Sequence, residues 1–449
     1  MERPEYLISG ELTRLIPVAT NQELRNTGAV GAMLKGVREF AGALLGPLGA
    51  PIGKRAKIQV WTEPVFKISK GESKDRPDAL IIVDNGRRQW RALVESKAKS
   101  ANLDSAQVER YLDLSRDQGI DALITVSNQF VVAPNLSPCV VKKTKTRKVA
   151  LFHWSWLFLK TEAKIQLAKC AVSDPDQAYM LEEFVRYLEH DSVGVSKFER
   201  MGKEWVEACR LYFAKSKLPK NSPVCSAVLR DWDELMRSTA LLMSRQLETN
   251  VTTVLSQKER KDPSQRFEKL LASFSNSGEL CCRLEIPGAA SPIAIEADLT
   301  RRCVTISMSV LAPKDRKRSR TSVNWLLRQL EKTTDERVMI VARWPGRSNS
   351  SCVELSRVRE DPDELVVGRT GQLPWCFELR SVSDFGGKFT QRQKFVSELV
   401  SCVSKFYESV GQYVVPWQAP PPKPKIQILS EDAKPGGIEE YGGSELASK

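Results

Sequence analysis

The chain has 449 residues, of which 41% are hydrophobic and 27% charged, and a net charge of +13. That length exceeds what one hydrophobic core usually organises, so two or three domains are expected. No stretch approaches the roughly 18 uncharged apolar residues of a membrane span, and the opening MERPEYLISGELTR lacks the apolar core of a secretory signal, so a cytoplasmic protein with no membrane partner is predicted.

Residues 21–46 place apolar side chains at helical spacing behind Asn21, a suitable N-cap, and predict the first helix. AKIQVWTEPVF (56–66) alternates as a strand, and a polar turn follows at 71–76. RPDALIIVD (76–84) reads as a second strand, NGRRQ as its turn with a hairpin-type Asn85-Gly86 pair, and WRALVESKA (90–98) as the returning strand. Residues 103–119 form an amphipathic helix, opened by Asp104 or Ser105 and closed by Gly119. DALITVSNQF (121–130) suits a buried strand, and residues 148–160 supply another strand running into a helix. The order is α-β-β-β-α-β, an α/β arrangement.

Helices are predicted next at 177–190 and 198–215, and Asn221, Ser222 and Pro223 read as a linker. An α+β pattern follows: a helix at 229–256, strands near 280–286, 293–298 and 303–311, a helix at 321–333, a strand at 337–343 and a helix near 391–409. Beyond Pro416, a proline cluster and a polar, glycine-containing stretch predict a polyproline II segment and a disordered tail. The expected divisions are 1–165, a helical connector at 166–225, an α+β domain at 226–415 and the tail at 416–449.

The ten cysteines show no CxxC and no regular spacing, and only His153 and His190 could assist them. Structural zinc is therefore not expected. The same shortage of histidine weighs against Ser-His-Asp or Cys-His catalysis, and His153, inside the apolar run LFHWSWLF, reads as a core residue. Residues 1–165 hold 26 Lys and Arg against 17 Asp and Glu, so most of the positive excess lies in the first third of the chain. A polyphosphate ligand would require such a surface.

The chemistry centres on Pro77-Asp78 and Glu95-Ser96-Lys97, joined by the predicted hairpin. Alternation on a strand points Glu95 and Lys97 to one side and Ser96 to the other. An Asp and a Glu converging from adjacent strands make an oxygen-rich site suited to Mg²⁺, with Mn²⁺ as an alternative. Lys97 alongside would position or polarise an attacking water. The flanks DALIIV and ALV are apolar, so charged groups here are partly buried and call for a reason. The plainer alternative is a solvated same-face pair, with Asp78 in a turn.

With the α-β-β-β-α-β order, these residues resemble the PD-(D/E)xK nuclease superfamily over about residues 20–160. Its restriction-endonuclease-like core and signature, an Asp after proline and then Glu-x-Lys on the next strand, match Pro77-Asp78 and Glu95-Ser96-Lys97. Helicase-nuclease and junction-resolving branches add Gln-x-x-x-Tyr on the following helix, here Gln107 and Tyr111, four apart on one face. A metal-linked glutamate on the first helix corresponds to Glu23, and Glu63 is a spare acidic candidate. The resemblance implies a Mg²⁺-dependent DNA endonuclease with a bacterial defence or stress role, catalytic residues Asp78, Glu95, Lys97, Gln107 and Tyr111, and metal ligands Asp78, Glu95 and Glu23.

The basic run Lys142, Lys143, Lys145, Arg147 and Lys148 is a candidate phosphate-backbone contact, and KDRKRSR (314–320) is a second; each is equally readable as a solvated loop. A catalytically silent binding or assembly module of the same fold remains open. So does a regulatory protein whose C-terminal domain carries a homo-oligomer or partner contact.

Overall fold

Two groups of β-forming segments build two separate sheets. The computed structural model describes residues 3–419 apart from 69–70, 100, 132–133, 347–349 and 370, so the predicted tail lies, from residue 420 on, outside the described residues.

The first sheet contains β1 (Leu7–Leu12), β2 (Lys57–Ile68), β3 (Gly71–Glu72), β4 (Ala79–Asp84), β5 (Gln89–Ser96), β6 (Ala122–Ser127) and β7 (Ala150–Ser155). Its order is β1-β2-β4-β5-β6-β7, with β3 on β2; the β5–β6 and β6–β7 pairs are parallel and the others antiparallel. Helices α1 (Gln22–Gly36), α2 (Arg38–Leu45), α3 (Ser105–Asp117), α4 (Trp156–Ala168) and α5 (Pro175–Glu189) cover both faces. The central strands are therefore apolar at nearly every position. Ala79, Ile81, Val83, Ala92 and Val94 pack with α1, α2, α4 and α5, whereas Leu80, Ile82 and Leu93 pack with α3. α1 lies close on the sheet: a Cβ at Gly31 would stand 2.9 Å from Val60 Cγ1. That approach carries Glu23 and Thr27 to the end of β5.

Helix α6 (Glu204–Phe213) and the 25-residue α7 (Pro223–Leu247) precede a second sheet of β8 (Thr252–Thr253), β9 (Glu279–Glu285), β10 (Ile293–Asp298), β11 (Cys303–Leu311), β12 (Met339–Arg343), β13 (Ser350–Glu354) and β14 (Cys376–Asp384). All its neighbours are antiparallel, in the order β13-β12-β14-β11-β10-β9-β8. Helices α8 (Gln257–Lys261), α9 (Pro263–Ser277), α10 (Ser319–Gln329), α11 (Leu355–Glu360) and α12 (Arg392–Ser409) complete this half. Its core holds Trp205, Tyr212, Trp232, Phe274, Phe377, Phe389 and Phe395. The α7 residue Leu241 packs with Phe130 and Leu157, and Arg237 lies over the Phe158 ring, so α7 also contacts the first half. Among the described residues no helix is long and apolar enough to cross a membrane.

Several expectations change. The helix at 21–46 breaks at Val37, whose φ of −117° and ψ of 104° are extended. The hairpin loop spans four residues, because Asp84 pairs with Gln89, and Asn85 Oδ1 accepts from Arg87 N and Arg88 N. Asn221-Ser222-Pro223 is a helix start: Ser222 caps Val224 N and Pro223 takes the first position, where its missing N–H costs nothing. Within 166–225, α5 buries Leu181, Phe184 and Leu188 in the first core, while α6 buries Trp205 and Ala208 in the second.

Candidate active site

The hairpin register Ala79↔Val94 continues to set Asp78 opposite Glu95, on the α3 side of the sheet. Asp78 sits at the mouth of β4, where its Oδ2 accepts from Ser96 N at 2.6 Å and Ser96 Oγ at 2.8 Å. Ser96 is fully buried and also pairs with Thr27 Oγ1 of α1 at 2.7 Å. Glu95 is 2% exposed, and its Oε1 accepts from Lys97 Nζ at 2.6 Å. Glu23, in the first turn of α1, accepts from Ala98 N through Oε1 at 3.2 Å and sets Oε2 3.9 Å from Lys97 Nζ. The backbone of Lys97 is pinned twice: its N–H donates to Val126 O and its carbonyl accepts from Trp156 Nε1, both at 2.8 Å.

Glu95 and Glu23 thus flank one ammonium, and Asp78 acts on it from farther away, in a largely dry site. Burial raises the Asp78 carboxyl above its ordinary range, against the pull of the Ser96 hydrogen bonds. Burial and then the like charge of Asp78 lift Glu95 to about 7. For Lys97, burial opposes the charged form, but Glu95, Glu23 and Asp78 together outweigh it and raise its pKa. The cluster is short of positive charge.

From α3, Tyr111 Oη accepts from Gln107 Nε2 at 3.2 Å and donates to Arg76 O at 3.0 Å, just before Pro77-Asp78. Burial, then the charges of Glu95 and Asp78, push the Tyr111 phenol up to about 12, so it acts as a neutral donor. Glu63 is exposed at a left-handed φ of 47°, and its contact with the site is through its backbone: Glu63 N donates to Asp78 O at 2.9 Å. His153 is buried, with Nδ1 against Thr125 Oγ1 and Nε2 donating to Gln129 O; burial depresses its pKa to about 4. It is a satisfied core residue.

The basic run lies against the outer face of α3 and divides in two. Lys142 pairs with Glu109, and Lys145 with Asp113. Lys143, Arg147 and Lys148 are exposed, with no ion pair among the described residues. Removing these three charges is expected to lower nucleic-acid affinity and flatten its salt dependence by up to about one unit of slope per lost phosphate contact. An unchanged slope in a salt titration would leave the run a solvated loop.

The sequence pattern missed Ser96 and Trp156 as supports. Ser96 is the unspecified residue of Glu-x-Lys, and alternation alone sends it to the α1 face; the indole of Trp156 is remote in sequence. No family model, curated protein or solved structure matches the chain.

A divalent cation can be tested against the donors present. Among the described residues no three His, Cys, Asp or Glu side chains form a ready metal cage. Mg²⁺ asks for less, one or two carboxylates completed by waters and substrate phosphate. Asp78 Oδ1 and Glu95 Oε2 accept no hydrogen bond among the described residues, and the surplus of carboxyl over ammonium groups fits a cation there.

Proposed function

We propose that the chain is a metal-dependent nuclease of the PD-(D/E)xK kind, hydrolysing phosphodiester bonds in DNA, with Asp78 and Glu95 holding Mg²⁺ or Mn²⁺. One observation carries the reading: at the end of the β4–β5 hairpin Asp78 stands opposite Glu95, and Glu95 and Glu23 flank Lys97. The ion, when bound, supplies charge against a phosphodiester and lowers the pKa of a water it holds.

The protein's own groups do the rest. Hydrolysis forms a bond from water oxygen to phosphorus, breaks the bond to the leaving oxygen and moves one proton from water to the leaving group. Lys97 Nζ, aimed by Glu95, donates to the water or to a phosphate oxygen and offsets the charge that builds there. Ser96 holds the Asp78 carboxylate, and Tyr111 grips the Arg76 carbonyl so that the Pro77-Asp78 segment keeps its place. Gln107, four residues before Tyr111 and partly exposed, donates its amide to Tyr111 Oη and holds the phenol.

The test is cleavage of supercoiled DNA, linear DNA and RNA with Mg²⁺, Mn²⁺ or EDTA. Cutting of DNA with either metal and none in EDTA is expected. Binding without cutting under every divalent metal would favour the silent binding module.

A further inference from the structure

The second sheet carries a basic groove that the chemistry above does not use. KDRKRSR (314–320) leads out of β11 into α10, beside a groove of about 700 Å³ lined by Arg316, Thr321, Asn324, Leu327, Arg328 and Arg359, with Glu331 its one acidic wall. Thr321, Asn324 and Arg328 are spaced three and four apart, so they present one face of α10. Arg318, the N-cap of α10, makes no side-chain cap bond, which leaves the N–H groups of Ser319 and Arg320 and the positive end of the dipole at the same end of the groove.

The ion pairs around α10 show which charges are spare. Arg320 is paired with Asp363 and Arg357 with Glu364. Arg359 is held by Glu336 and by the carbonyls of Leu330 and Thr333. Arg328 has no ion pair or hydrogen bond among the described residues. Among the described residues Arg316 reaches only the neighbouring Asp315, at 3.6 Å, and its buried Nε has no hydrogen-bond partner there. From Thr321 to Arg328 the helix face runs about 10 Å at 1.5 Å per residue, and Arg316 lies beyond it. The spare cations therefore stand in a row longer than a single phosphate, in an open trough. A chain of phosphates suits such a row better than a compact anion.

We propose that this groove binds the sugar-phosphate backbone of the nucleic acid cut at the first sheet, which makes it a second contact for the substrate; the identity of the ligand rests on the nuclease reading. Arg316 and Arg328 supply the phosphate contacts, and the Asn324 amide supplies an uncharged hydrogen bond; the Thr321 hydroxyl is already donated to Arg318 O.

The experiment is a salt titration of full-length protein against a fluorescent duplex oligonucleotide in EDTA, where nothing is cut. Arg316→Gln with Arg328→Gln is expected to weaken binding and to reduce the slope of log K against log salt by about 2. The equal charge change Arg283→Gln with Arg301→Gln, at exposed positions on and beside the second sheet, is expected to leave the slope unchanged. Wild-type slope and affinity in the first pair, or the same loss in the control pair, would overturn the proposal. A second measurement needs no variant: phenylglyoxal modification of Arg316 and Arg328, read by mass spectrometry, should fall when the duplex is bound, and unaltered modification would likewise overturn it. Failure here with metal-dependent cleavage intact leaves the nuclease reading standing. A lost slope in a protein that never cuts leaves the groove standing and removes the nuclease.

Discussion

Glu95→Gln is expected to abolish metal-dependent cleavage while nucleic-acid affinity holds or tightens. The substitution keeps the shape of a buried side chain that is 2% exposed but removes its charge. On the nuclease reading, the cation between Asp78 and Glu95 then keeps one anionic ligand in place of two and is held more weakly. Lys97→Ala tests the other half of the pair by removing the ammonium 2.6 Å from Glu95 Oε1. Loss of one preorganised electrostatic group costs on the order of 10²- to 10³-fold in rate, and loss of the metal costs more. Affinity follows another rule, because it comes from dispersed phosphate contacts outside the cluster, and deleting a carboxylate relieves repulsion. Rate and mobility-shift affinity measured side by side separate the two. Full cleavage by Glu95→Gln would remove Glu95 from the chemistry.

Trp205→Ala should give the largest loss of stability. The indole is fully buried, donates from Nε1 to Phe389 O at 2.9 Å, and packs 4.3 Å from the Phe395 ring and 5.5 Å from the Phe389 ring. It thereby ties α6 to the start of α12. Truncating a buried tryptophan costs about 3–5 kcal/mol, and the orphaned carbonyl of Phe389 adds to that. Urea unfolding followed by tryptophan fluorescence and by circular dichroism reads the loss. A change within about 0.5 kcal/mol, the scatter of surface substitutions, would show that α6 is not part of the second core.

The elements that hold the candidate site were the most legible in the sequence, for a physical reason. β4 and β5 are buried on both faces, so they are written as nearly unbroken apolar runs, and charged residues at their ends stand out against ALIIV and ALV. The Asn21 and Asp104 caps were visible because each side chain accepts the N–H groups of its own first turn. Edge elements were not. β1 contains one buried residue in six and a glycine, so neither face writes a pattern. β13 is likewise an exposed edge, and β14 loses its alternation after Leu379. α9 begins with Pro263 in a polar stretch that reads as loop. The break at Val37 was hidden because valine suits either side of a helix boundary. At the site, pattern could find the residues that bear charge but not Ser96, Thr27 and Trp156, whose partners come from packing that distant segments make only once folded.

The seam at α7 has a consequence in time. Every side chain of the candidate site and its supports lies between Glu23 and Trp156, and the first core closes with Val193. On the ribosome, at about 5–20 residues per second, the stretch from Val193 through Arg237 and Leu241 of α7 takes on the order of several seconds to emerge. During that interval the acidic cluster can assemble, while Leu157 and Phe158 still await Leu241 and Arg237. The nascent protein therefore passes through a stage with its acidic cluster built and an apolar flank open, and the arrival of α7 ends that stage.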